Sequence, residues 1–162
     1  MGGGECTPTC FIFFYKELFG HVGIMSYLCN MNTLYLKTPT EEMSTHLIRK
    51  VVAETIKWCE ENLGTKSYKV NYSVRTLGEK YTPAYGMYDP TKRTIMVFRN
   101  YAPNIKMVIC SVIHEYTHYL QNLRWYNNTL RKVGYYKHPQ EIEARAMECF
   151  YSVCWKEIKN EI

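Results

Sequence analysis

His114 and His118 stand four residues apart in the run Ile113-His114-Glu115-Tyr116-Thr117-His118. On an α-helix that spacing leaves two side chains about 40° apart around the axis and about 6 Å apart along it. Two imidazoles so placed reach one Zn²⁺ at about 2.0–2.1 Å and leave part of its coordination shell open. Glu115 lies about 100° round from His114 on the same wheel. It is too far round to complete the ligand set, and well placed to take a proton from water activated by the ion.

This chemistry needs a rigid helix, and the flanking residues supply one. Ile105, Val108, Ile109, Val112, Ile113, Tyr116, Leu120 and Leu123 recur at three- and four-residue intervals, with no Gly or Pro among them. That is the period of a helix packed on a core. Upstream, Thr38-Pro39-Thr40-Glu41 has the features of a helix start, with Thr38 as N-cap, Pro39 at the first turn and Glu41 at the third position. Leu47, Val51, Val52, Ile56, Cys59 and Leu63 continue that helix on one face, and Gly64 is placed to stop it. Tyr68, Val70, Tyr72 and Val74 alternate with polar residues, which predicts a half-buried strand. Ala84–Tyr88 and Thr94–Phe98 flank Asp89-Pro90-Thr91-Lys92, a hairpin signal. A polar loop is expected from Tyr126 to Lys137, and then a last helix opened by Pro139. The order predicts an α+β domain: a first helix, a small three-stranded sheet, the two-histidine helix and a C-terminal helix.

Composition is that of one ordinary globular domain. Of 162 residues, 46% are hydrophobic and 22% charged, which excludes a disordered chain. The net charge of +5 comes from dispersed Lys and Arg, so nucleic-acid binding is permitted but not indicated. The seven Cys are odd in number and form no C-x-x-C pair, which suits buried thiols of a reducing, cytoplasmic compartment. Residues 11–28 are apolar but interrupted by Lys16, Glu17 and His21, and have neither the basic region nor the cleavage site of a signal peptide. They are also a poor membrane span. Residues 1–30 differ in character from the rest of the chain and are expected to be an extension to a domain over 31–162.

An open zinc site needs a third protein ligand. Arg124 stands six residues after His118, where metzincins carry a third His, and that class is excluded. Glu141-Ile142-Glu143-Ala144 opens the last helix. With H-E-x-x-H, a strand before it and E-x-x-A after it, the chain over roughly residues 84–150 resembles the small single-domain gluzincin-type zinc metallopeptidases. The resemblance implies a zincin-like domain, Zn²⁺ held by His114, His118 and Glu141, and Glu115 as general base in peptide-bond hydrolysis of a protein or peptide substrate. In that clan the residue after E-x-x-A is often Asp or Asn and supports a ligand His. Arg145 stands here, so the support must come from another group.

Two rivals to Glu141 remain open. Glu143 is about 200° round the helix and falls with Ala146, Met147 and Phe150 on the apolar side, whereas Glu141 shares a side with Arg145, Glu148 and Ser152. His138 is the other, since SprT-like proteases, which act on DNA-bound protein, complete their site with a later His. A zinc-stabilised binding domain without catalysis is the third functional class. Tyr135, Tyr136 and His138 are candidates to stabilise an oxyanion, and the Thr94–Phe98 strand is expected to offer its edge to an extended substrate.

Overall fold

The computed structural model describes residues 36–78 and 83–162, and the expected extension over 1–30 lies outside them. Helix α1 spans Thr45–Leu63, later than the sequence signals suggest. Thr38-Pro39-Thr40-Glu41 opens only a 3-10 turn, Thr40–Glu42. The reason is tertiary: Pro39 pairs with Asn104, and the Thr40 backbone N–H donates to Pro103 O at 3.2 Å. These bonds hold the segment against the loop before the histidine-bearing helix. Ser44 then caps α1, accepting from the Leu47 N–H at 3.1 Å. Gly64 ends it at φ +91°, a backbone region open to glycine.

The sheet is mixed. Strands β1 (Asn71–Arg75), β2 (Gly86–Asp89) and β3 (Thr94–Phe98) lie in the order β1-β3-β2, with β1 parallel and β2 antiparallel to β3. The hairpin forms where expected. The first strand is shorter than its alternation suggests, and Tyr72 is exposed while Val70 and Tyr68 pack on the core before the ladder begins. β3 is central, paired on both sides, so the expectation that Thr94–Phe98 offers a substrate edge is wrong. Among the described residues, the unpaired edge beside the histidine-bearing helix belongs to β2. The Phe98 N–H donates to Tyr85 O, whereas the Tyr88 N–H donates to Glu115. Backbone groups alternate along an antiparallel strand, so those of Gly86 and Tyr88 face away from the sheet.

Helix α2 (Ile105–Leu120) carries both histidines. Asn104 caps it by accepting from the Met107 N–H at 3.0 Å. Ile105, Val108, Ile109, Val112, Ile113 and Tyr116 are fully buried between α1 and the sheet. α2 is therefore the central rod of the domain, clamped on several sides, which is what a fixed ligand pair requires.

The expected loop 126–137 instead contains helix α3 (Tyr126–Val133), entered through the turn Leu123–Trp125. None of its residues is buried, so it lacks the apolar stripe by which a helix is read from sequence. Helix α4 (Pro139–Met147) follows, capped by His138. A 3-10 turn, Glu148–Phe150, separates it from α5 (Tyr151–Ile158). The helical wheel is misplaced within α4 itself, which packs Glu141 and Ala144 inward and leaves Glu143 and Ala146 exposed, so the side that the sequence marks as apolar is not the one turned to the core.

Candidate metal centre

α2 and α4 bring His114, His118 and Glu141 together, their ligand atoms all within 4.8 Å of one another and all three side chains buried. Ala144, one turn after Glu141, is fully buried and lets α4 lie close to α2. The two Nε2 atoms face each other at 3.2 Å. Glu141 Oε1 is 3.2 Å from His118 Nε2, and Oε2 is 3.3 Å from His114 Nε2.

The outward nitrogens are already engaged. His114 Nδ1 lies 2.8 Å from Glu148 Oε1, and His118 Nδ1 lies 2.8 Å from Gln121 Oε1. Both acceptors oblige Nδ1 to carry a proton, so in the neutral imidazoles both Nε2 lone pairs point inward. Two lone pairs and a carboxylate thus converge, and Glu141 Oε2 is buried with no hydrogen-bond partner. Such a cluster demands positive charge, either protons or a metal ion. The residues therefore fit a divalent cation bound by two imidazoles and a carboxylate, the donor set of an open zinc site.

Titration in the metal-free protein reflects the same demand. Burial by itself lowers the pKa of His114, but hydrogen bonds to Glu141 and Glu148 and the charges of Glu115 and Glu148 outweigh it and push it up to about 9. His118 moves up through Glu141, Glu115 and Gln121 against the same burial. Glu141 goes the other way: despite burial, the His114 and His118 imidazoles and the Tyr126 and Tyr135 hydroxyls around it hold it well below the usual carboxylate range. Three groups that prefer to be charged together form a site ready to exchange protons for a metal ion.

Glu115 stands next to this cluster without joining it. Its Oε2 accepts the Tyr88 N–H at 2.8 Å, which leaves Oε1 for other work. Burial pushes its pKa up, and the charges of His114 and His118 and the Tyr88 hydrogen bond partly offset this. The approach of β2 depends on Gly86. A Cβ there would lie 2.4 Å from Ser111 Oγ, 3.0 Å from Met96 O and 3.3 Å from Glu115 Cγ.

Each rival ligand is occupied elsewhere. His138 is buried, accepts the Gln140 N–H at its Nδ1 and donates its Nε2–H to Tyr126 O at 3.1 Å. Glu143 accepts from Gln121 Nε2 at 2.8 Å and so fixes the amide that orients His118. Arg145 donates to Tyr136 O at 2.8 Å, with its guanidinium 5.5 Å from the Tyr135 ring centre, and does not support a histidine. Glu148 does so instead, seven residues after Glu141. A search for the residue after E-x-x-A passes it over, although seven residues is about two helical turns and puts Glu148 on the same side as Glu141.

Two further groups come from elements that the sequence left unread. Tyr126, the first residue of α3, donates its hydroxyl to Glu141 Oε1. The Tyr135 hydroxyl also lies near Glu141 and favours its ionised form. Of the three oxyanion candidates, Tyr136 is 81% exposed with its backbone carbonyl bound to Arg145, and His138 has spent both nitrogens. Tyr135 alone of the three puts its functional group at the centre.

His114, Glu115, His118, Glu141, Glu148, Tyr126 and Tyr135 line one cleft of about 1060 Å³ between β2 and the α3–α4 segment. Tyr85 and Met87 are exposed on the β2 side, and Tyr135 and Tyr136 on the other. Comparison of the chain with protein-family models, curated proteins and solved structures finds no match. The class defined on these observations is an α+β domain with a buried His-His-Glu cluster suited to a metal ion. Among the described residues no helix is long and apolar enough to cross a membrane, and Cys59, Cys110 and Cys154 are buried thiols.

Proposed function

We propose that this protein is a zinc-dependent endopeptidase of the gluzincin type. The observation that carries the reading is the pairing of His114, His118 and Glu141 with a second, non-ligating carboxylate, Glu115, in an open cleft beside the β2 edge. When bound, zinc supplies Lewis acidity, polarising a carbonyl and acidifying water. Every other task falls to side chains and backbone of this chain.

Glu115 accepts the proton of the attacking water on Oε1 and returns it to the leaving amine. The Tyr88 N–H holds the other oxygen still while this happens. Partial desolvation raises its basicity toward the range a general base needs near neutral pH. Glu148 and Gln121 keep the two imidazoles in the tautomer that presents Nε2. Tyr126 keeps the Glu141 carboxylate from turning away. Tyr135 donates its hydroxyl to the oxyanion of the tetrahedral state. An extended peptide lies along β2, where Gly86 turns both its backbone groups outward and Tyr88 its carbonyl, adding one strand to the sheet.

The deciding experiment uses Glu115→Gln in zinc-loaded protein. Gln is nearly isosteric, still accepts the Tyr88 N–H and cannot take a proton at neutral pH. Zinc content and fold should be unchanged, and cleavage of a substrate that the wild type cuts should fall by about 10²–10⁴-fold. Equal rates in the two proteins would overturn the mechanism. A zinc-stabilised binding domain is the second reading, favoured by the packing of the cluster at the junction of α2 and α4. It requires that Glu115→Gln leave every activity of the protein intact. The SprT-like alternative loses its support, because His138 has no nitrogen free for a metal.

A further inference from the structure

A second cavity of about 390 Å³ adjoins the cleft, with Tyr88, Pro90 and Leu123 lining both. Among the described residues no Asp or Glu lines this cavity, and one cation does: Lys66. Its side chain is held in place. The Lys66 backbone N–H donates to the Tyr119 hydroxyl at 2.9 Å, and Nζ donates to Gln121 O at 2.9 Å. Nζ also lies 5.7 Å from the Tyr119 ring centre and 6.0 Å from that of Tyr68. A second cation adds to the field, because the Arg93 guanidinium sits 4.3 Å from the centre of the Tyr68 ring. Among the described residues neither cation has an ion-pair partner, and the nearby Asp89 is taken by Lys92 and by the Thr91 and Lys92 N–H groups.

A lysine is a compact charge on a flexible stem, and it loses rotamer freedom when pinned. Here it is pinned by one neutral carbonyl, with two donors left over and no counter-charge in a cavity walled by phenols. We propose that this cavity is a substrate subsite for an anionic side chain, a carboxylate or a phosphorylated hydroxyl. This inference rests on the peptidase reading. Tyr88 holds Glu115, and Pro90 lies two residues further along the chain, so the cavity begins about 7 Å along the strand edge from the general base. That is the reach of the second or third residue from the cut bond. The hydroxyls of Tyr68 and Tyr88 provide neutral donors around the anion, and charge-assisted hydrogen bonds from Lys66 select it over its neutral isostere.

The test is competitive cleavage, by zinc-loaded full-length protein, of a peptide set that carries Glu, Gln, Lys, Ser or phosphoserine at each of the three positions on either side of the cut. At one position the wild type should cleave the Glu or phosphoserine peptide about tenfold faster in kcat/KM than its Gln or Ser counterpart. The ratio of the two anions tells which is the better occupant. Lys66→Met should bring the ratio near one, Lys66→Arg should keep it, and Lys66→Glu should turn the preference toward Lys. Because Lys66 also bonds the end of α2, the readout is a ratio within each protein, and Arg93→Met serves as a second variant with a smaller expected loss of the same preference. Cleavage with an unchanged Glu:Gln ratio in all variants would overturn the subsite and leave the peptidase reading standing. A zinc-loaded wild type that cuts no peptide of the set, nor an unfolded protein, would overturn both.

Discussion

Glu148→Ala removes the carboxylate that accepts from His114 Nδ1 at 2.8 Å, and its effect on zinc affinity should depend on pH in a way that a merely structural residue would not produce. Two consequences oppose each other. Loss of an outer partner of a metal-ligating histidine costs typically about 10–100-fold in affinity, or about 1.4–2.7 kcal/mol. Against this, the metal-free His114 titrates at about 9, and Glu148 contributes to that through both its hydrogen bond and its charge. At pH 7 zinc must displace a proton held about two pH units above the medium, a handicap of about 100-fold. Without Glu148 the proton is held less tightly and part of that handicap disappears. The net loss of affinity should therefore be small at pH 7 and should approach the full 10–100-fold range near pH 9, where the proton is leaving in either protein. Glu148→Gln keeps an acceptor without the charge and should fall between. Chelator-competition titrations of zinc at pH 7 and pH 9 read these ratios directly. A wild-type-to-variant ratio that is flat, or that shrinks as pH rises, refutes the argument. An Arg145→Ala variant that loses more zinc than Glu148→Ala would return the supporting role to the position where the sequence pattern put it.

Glu141→Ala should lower zinc affinity by orders of magnitude in equilibrium titration, whereas Glu143→Ala, which loosens only Gln121, should cost about tenfold or less; the reverse ranking moves the ligand to Glu143. Gly86→Ala forces a Cβ to 2.4 Å from Ser111 Oγ and 3.0 Å from a backbone oxygen. It should destabilise by about 1–3 kcal/mol in denaturant melts and reduce catalysis by pushing Tyr88 off Glu115. For the metal-free protein the sign of the pH dependence comes from His114, whose folded pKa of about 9 lies above its ordinary 6.5. Its contribution to stability is complete below about pH 6.5 and is lost as pH rises through about 9. The melting temperature of the metal-free form should fall over that window, and an increase would show that the cluster does not hold a proton.

His114, Glu115 and His118 are legible because the chemistry lies within one turn, and a helix is a local structure whose period is written in its own apolar residues. The hairpin before it and the stop at Gly64 are local in the same sense. Glu141 is legible only as one of three rivals, since its orientation depends on how α4 packs. The wheel that favours Glu143 counts Ala146 as a core residue, whereas α4 turns Glu141 and Ala144 inward and leaves Ala146 exposed with Glu143. The expected strand edge falls on the wrong strand because pairing order is non-local: β1 returns parallel to β3 and covers the edge that the hairpin alone would have left free. Tyr126 reaches Glu141 from a helix with no buried residue and has no periodic signal, whereas Glu148 shares the Glu141 side of the wheel and only the packing of α4 on α2 shows that it meets His114. The sequence alone determined which side chains can bind a metal and move a proton, because spacing on one helix is enough for that. The tertiary structure decided which carboxylate completes the cluster, which groups orient it and which backbone edge faces it, because those depend on contacts between segments that no local pattern encodes.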